Sequence, residues 1–162
     1  MKNKELAEPL LQRACLGNAE ALDFLRGWLI YCHAVDDVVD EQLTTDGKIS
    51  AFIACLDVFT RPFFLRHGAA LKPAVFNIAN LYADSVAWEK SSVPWKKDFA
   101  EFARHAGAEM VLNVAAIVGG FAHMRSISAE VRELCWSPDD DAWAPTTPKK
   151  KGQLCHTEPE KA

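Results

Sequence analysis

The chain has 162 residues, 49% of them hydrophobic, which is the size of one domain with a core of its own. A formal charge of −4 and an isoelectric point near 5.7 exclude the basic face of a dedicated nucleic-acid binder. Five scattered cysteines without a CxxC pair suggest neither a zinc site nor a disulfide framework, and MKNKELAEPL lacks the apolar stretch of a secretory signal, so a soluble cytoplasmic protein is expected.

No strand-like alternation of any length occurs, and no GxxxxGK[ST] or GxGxxG loop. Apolar residues recur with helical period. The pattern predicts an all-α fold, a compact bundle of five to six helices over 1–136, followed by a disordered tail over 137–162 that is rich in proline, charge and small polar residues. A first helix over about 8–16 stops at Gly17, and Asn18 caps a long central helix from Ala19 to about Leu43. The third helix, from Ile49, carries Phe52, Ile53, Leu56 and Phe59 at helical spacing and ends before Pro62. A short continuation to His67 stops at Gly68. With Arg61, Arg66 and Lys72 it makes a basic corner, read either as scattered solvated charge or as cations for distal phosphates. The fourth helix opens on Pro73 in its first turn and runs to about Lys90, with Asn77, Asn80, Asp84 and Trp88 on one face. A fifth runs from Trp95 to Met124, with Asp98, Glu101, His105, Glu109 and Asn113 as a polar stripe. Its apolar stretch 110–122 is too short to span a bilayer, so stable membrane insertion is not expected. Ser128 caps a last helix to Trp136.

The chemistry concentrates in Tyr31–Glu41, YCHAVDDVVDE. At about 100° per residue, Arg26, Ile30, His33, Asp37 and Asp40 line one stripe of the central helix, with Asp36 and Glu41 on its flanks. A helix that is apolar on most other sides belongs in a core, so this acidic stripe is expected to face an interior cleft. Carboxylates four residues apart repel by roughly 0.2–0.5 kcal/mol per pair, and negative charge near a helix C-terminus costs about 0.3–1 kcal/mol. A Mg²⁺ ion relieves both costs, because it binds through one or two carboxylates while keeping waters and phosphate oxygens. The candidate metal ligands are Asp36, Asp37, Asp40 and Glu41, with Asp84 on the opposite wall. Asp37 and His33 are the candidate catalytic groups, and Arg26, Asn77 and Asn80 the candidate substrate contacts.

The stretch FLRGWLIYCHAVDDVVDE resembles the first aspartate-rich segment of bacterial squalene and phytoene synthases, class I isoprenoid synthases in which an aromatic-Cys-Arg run leads into DDxxDE. The resemblance covers about 24–41, with His33 where the family usually has Arg. It implies that Asp36, Asp37 and Asp40, supported by Glu41, hold Mg²⁺ ions that bind a small-molecule diphosphate. It also implies a pared-down prenyl transferase acting on an allylic prenyl diphosphate, whose chain Ile30, Phe52, Phe59, Phe76 and Trp88 would shelter. A second reading keeps the metal and changes the substrate: all-α nucleoside triphosphate pyrophosphohydrolases are small bundles that hold Mg²⁺ with acids from two helices. A third is a catalytically inert helical protein whose acidic turn binds a partner. Broad apolar helix faces leave a homodimer open.

Overall fold

The computed structural model describes residues 2–40 and 43–135, with side chains from Ala7 onward. The predicted tail over 137–162 lies outside the described residues. Those residues form helices α1 (Lys2–Cys15), α2 (Ala19–Val39), α3 (Thr45–Thr60), α4 (Pro62–Trp88), α5 (Pro94–Arg104) and α6 (Glu109–Cys135), with a short 3₁₀ turn at Ala106–Ala108 and, among the described residues, no strand. Local chemistry sets most of the boundaries. Leu16 and Gly17 leave α1 with φ of 47° and 78°. Asn18 then accepts a hydrogen bond from the Ala21 N–H at 3.0 Å, and Thr44 caps α3 through the Gly47 N–H at 3.3 Å. Pro62 and Pro94 open α4 and α5 at positions where a missing N–H costs nothing.

Several predicted boundaries move, with α1 starting at Lys2 rather than near residue 8, α2 ending at Val39 rather than near Leu43 and α3 starting at Thr45 rather than Ile49. The fourth helix begins at Pro62 rather than Pro73, and the expected stop at Gly68 is only a kink at His67 (φ −110°, ψ 15°). Phe63 and Phe64 before the kink and Leu71 after it bury in one core, which keeps both arms together and leaves Pro73 inside the helix. The predicted helix over 95–124 is interrupted at the 3₁₀ turn, where the Trp28 indole N–H donates to the Gly107 carbonyl at 2.8 Å.

The chain then turns at Gly120, whose φ of 76° and ψ of −179° suit a residue without a Cβ. Arg132 meets Glu109 at 2.9 and 3.0 Å although 23 residues separate them. A straight helix would hold them roughly 35 Å apart. α6 is therefore a hairpin of two arms, and the last helix starts at this turn rather than at Ser128. The stretch Pro94–Cys135 is long and apolar enough to cross a membrane by length and composition. Here it is folded at the 3₁₀ turn and again at Gly120, and Met110, Val111, Leu112, Val114 and Ala115 lie in the core.

α2 is the hub, touching α1, α3, α4 and α6. Its Phe24, Leu25 and Trp28 are fully buried, each contributing about 2 kcal/mol. Phe24 stacks on Phe63 at 5.8 Å and Phe64 at 5.9 Å, and Leu10, Met110, Val114 and Val131 complete the core from α1 and α6.

Candidate functional site

The buried stripe of α2 runs through Ala21, Leu25 and Trp28 to the half-buried Cys32, and one turn further on it reaches Asp36. The inward carboxylate is thus Asp36. The Tyr82 hydroxyl, on α4, donates to Asp36 Oδ1 at 2.9 Å. Arg104, the last residue of α5, places its Nε 3.4 Å from the same oxygen, its Nη2 3.3 Å from Asp40 Oδ1 and its Nη1 3.2 Å from Glu89 Oε2.

These positions explain one another. Asp40 is the C-cap of α2, Glu89 the C-cap of α4, and Arg104 ends α5, so three helix C-termini meet here. Neither α2 nor α4 has a basic residue in its last turn. The negative ends of their macrodipoles and the carboxylates both favour a cation, and Arg104 supplies it. Burial works against the charge of Arg104, but Asp36, Glu89 and Asp40 outweigh it and hold the guanidinium pKa above its ordinary value. Burial, then the bond to Asp36, push the Tyr82 phenol far up, so that it stays a donor. Burial also raises the Cys32 thiol to about 12, with Asp36 adding to the shift.

The predicted site residues divide. Arg26 and Ile30 are exposed, so the stripe Arg26, Ile30, His33, Asp37 and Asp40 turns outward at its beginning instead of lining a cleft. Arg26 pairs with Glu8 of α1, away from the acids. His33 and Asp37 are half-buried, and the Asp37 side chain makes no hydrogen bond or ion pair among the described residues. Asp84 is half-buried on α4, whereas Asn77 and Asn80 are exposed. Glu41 lies outside the described residues. Among the described residues, no three His, Cys, Asp or Glu side chains group so as to hold a metal ion on their own.

The other polar candidates have local partners. Arg61 of the basic corner is tied to Asp23 at 2.8 Å and Asp57 at 2.6 Å, Arg66 to Glu20 at 2.7 Å, and Glu109 to Arg132. Of the expected apolar lining, Ile30, Phe52 and Phe76 are 57%, 65% and 73% exposed and lie on outer surfaces. Phe59 packs on Tyr31 and Phe64. Trp88 borders the cluster beside Glu89, packed on Trp95 at 5.6 Å and Phe99 at 5.4 Å, with the Lys96 ammonium over both indoles.

Sequence reasoning missed Tyr82, Glu89 and Arg104 as a set. The available signal was Asp36 itself: a carboxylate four residues beyond Cys32 on the buried stripe requires a donor or a cation from a facing helix. No family model, curated protein or solved structure matches the chain.

Proposed function

We propose that this protein binds a diphosphate together with Mg²⁺ at the Asp36, Asp40 and Arg104 cluster, as a pared-down prenyl transferase acting on an allylic prenyl diphosphate. The observation that carries the reading is that three carboxylates, from Asp36, Asp40 and Glu89, share one guanidinium where three helix C-termini meet. Such a cluster keeps excess negative charge and offers hard oxygen donors. Mg²⁺ needs only one or two carboxylates, the rest of its shell being water and phosphate oxygen, so the donor set fits although it forms no closed cage. Asp36 and Asp40 would hold the ion, with Asp37 beside them and Glu89 opposite. Bound there, Mg²⁺ supplies the charge that makes diphosphate a leaving group.

The chain's own groups do the rest. The Arg104 guanidinium is planar and suited to bidentate contact with phosphate, and it turns from the carboxylates to the diphosphate once they are neutralised. It thereby restores the fixed cation that His33 removes from the aspartate-rich stretch. Tyr82 keeps Asp36 oriented through its hydrogen bond. Trp88, Trp95 and Phe99 form an apolar wall next to Glu89 that suits a prenyl chain.

The test is thermal melting with Mg²⁺ alone, pyrophosphate alone, both together, and Mg²⁺ with geranyl diphosphate or ATP, on the native chain and on Asp36→Asn. A ligand at a hundred times its Kd stabilises by about 2.7 kcal/mol, so a clear rise with Mg²⁺ and pyrophosphate is expected, larger with geranyl diphosphate and lost in the variant. No rise at millimolar ligand sinks the reading. A larger rise with ATP transfers it to nucleotides.

A further inference from the structure

We propose that the outer face of α3 is a two-fold helix–helix contact joining two copies of this chain. α3 is apolar on two opposite sides. Toward the rest of the protein it turns Ala51 and Val58, both buried, with Ala54 and Cys55 half-buried. Away from it, at spacings of three, one and three, stand Ile49, Phe52, Ile53 and Leu56, each 55–65% exposed. Phe59 at the helix end packs inward on Tyr31 and Phe64, but Ala51, Ala54 and Cys55 toward the core are small while four large apolar side chains face out, the reverse of what a solitary outer helix needs. A helix apolar all round belongs in an interior, and monomers rarely expose contiguous apolar patches beyond a few hundred Å².

The exposed stripe amounts to roughly 500 Å² per copy, so pairing two copies through it removes up to about 1,000 Å², the lower threshold for a biological interface. Between Lys48 and Asp57 the helix carries no charged side chain that pairing would strip of water. Asp57 itself is held by Arg61. A second copy is the occupant that matches the layout. Ile49, Phe52, Ile53 and Leu56 are symmetric about the midpoint of Thr45–Thr60. Two antiparallel helices therefore set Ile49 against Leu56 of the partner subunit and Phe52 against Ile53 of the partner subunit, which brings both copies of Ile53 beside the two-fold. Such self-matching is the requirement of an isologous contact. With α2 packed behind α3 in each copy, the contact completes a four-helix arrangement. It involves none of the acidic cluster, so it stands or falls separately from the metal reading.

Sedimentation velocity and light scattering on the full chain at 1–100 µM are the test, the monomer being 18.0 kDa. A dimer is expected. Ile53→Glu and Ile53→Lys, each placing like charges across the two-fold, are expected to weaken it roughly 100-fold or more while far-UV dichroism is unchanged. An equimolar mixture of the two variants is expected to dimerise again. If either variant loses its helical signal, Ile49→Glu mixed with Leu56→Lys takes its place, because those positions face each other. A native chain that is monomeric at 100 µM overturns the proposal, since another partner then covers the stripe. Variants that stay dimeric, or that fail to recombine when both are folded, overturn it as well.

Discussion

Replacing Arg104 by Gln keeps a polar side chain and removes the charge that three helix ends share. Its contacts with Asp36, Asp40 and Glu89 are 3.2–3.4 Å long, and its side chain is 32% exposed. Exposed ion pairs contribute about 0.2–1 kcal/mol, whereas breaking a fully buried pair costs about 3–5 kcal/mol. Contacts longer than the ~2.8 Å of a tight charged hydrogen bond, on a side chain with this exposure, belong near the lower figure. Adding a lost cation at the C-termini of α2 and α4, about 0.3–1 kcal/mol each, gives a total of about 2 kcal/mol. For a domain of this size that is a fall in Tm of roughly 6 °C. The assay is thermal and urea unfolding by circular dichroism, in low salt and in 0.5 M NaCl, with and without Mg²⁺. The gap between variant and native chain is expected to narrow in salt, which screens partly exposed charges. Mg²⁺ is expected to stabilise Arg104→Gln more than the native chain, because the carboxylates no longer have a competing partner. A variant as stable as the native chain in low salt, or insensitive to Mg²⁺ where the native chain responds, would refute the assignment of Arg104 as the counter-cation.

Two further outcomes are expected. A Cβ at Gly107 would come within 2.9 Å of Cys32 Sγ, in a turn whose carbonyl holds the Trp28 indole, so Gly107→Ala should cost about 2 kcal/mol in urea unfolding. An unchanged urea midpoint would mean that Cys32 rotates away at no cost. Burial raises the thiols of Cys15 to about 11 and Cys32 to about 12, from an ordinary value of 9.0. The unfolded chain therefore loses these protons first. Their contribution is complete below pH 9 and declines through pH 9–11 by about 1.4 kcal/mol per pH unit for each thiol. Urea midpoints across that range should fall, and the fall should become shallower in Cys15→Ala. A flat profile to pH 11 would contradict the burial of these groups.

The all-α architecture and the start of α2 were legible because capping is local: Asn18 acts on a residue three positions away, whereas Thr44 starts α3 at Thr45, four residues before the start expected at Ile49. Pro73 misled because a proline inside a helix reads as the start of one, while the kink itself sits six residues earlier at His67. The turn at Gly120 was signalled by the Gly119–Gly120 pair, but the apolar sequence around it did not separate a turn from a thinned helix, since Met110 and Val114 on one arm and Ile127 and Val131 on the other serve the same core. The acids were legible as a cluster, but not which of them faces inward. With Ile30, Val38 and Val39 exposed, α2 is apolar beyond its buried stripe, and pattern alone does not choose a side. Arg104 is 64 residues from Asp40, and nothing in local spacing joins them.

Arg104 is the last residue of α5, so its contacts tie the end of α5 to the end of α2. A cation that claimed Asp36 and Asp40 would loosen the tie between α5 and the end of α2. By reciprocity, an event that broke the Arg104 contacts would raise the affinity of those carboxylates for a cation by as much as the cation favours that event. α5 also carries the exposed rings of Trp95 and Phe102. A ligand that displaced α5 on gripping those rings would act on the cation affinity of the acidic cluster, and the two events would be coupled halves of a single equilibrium.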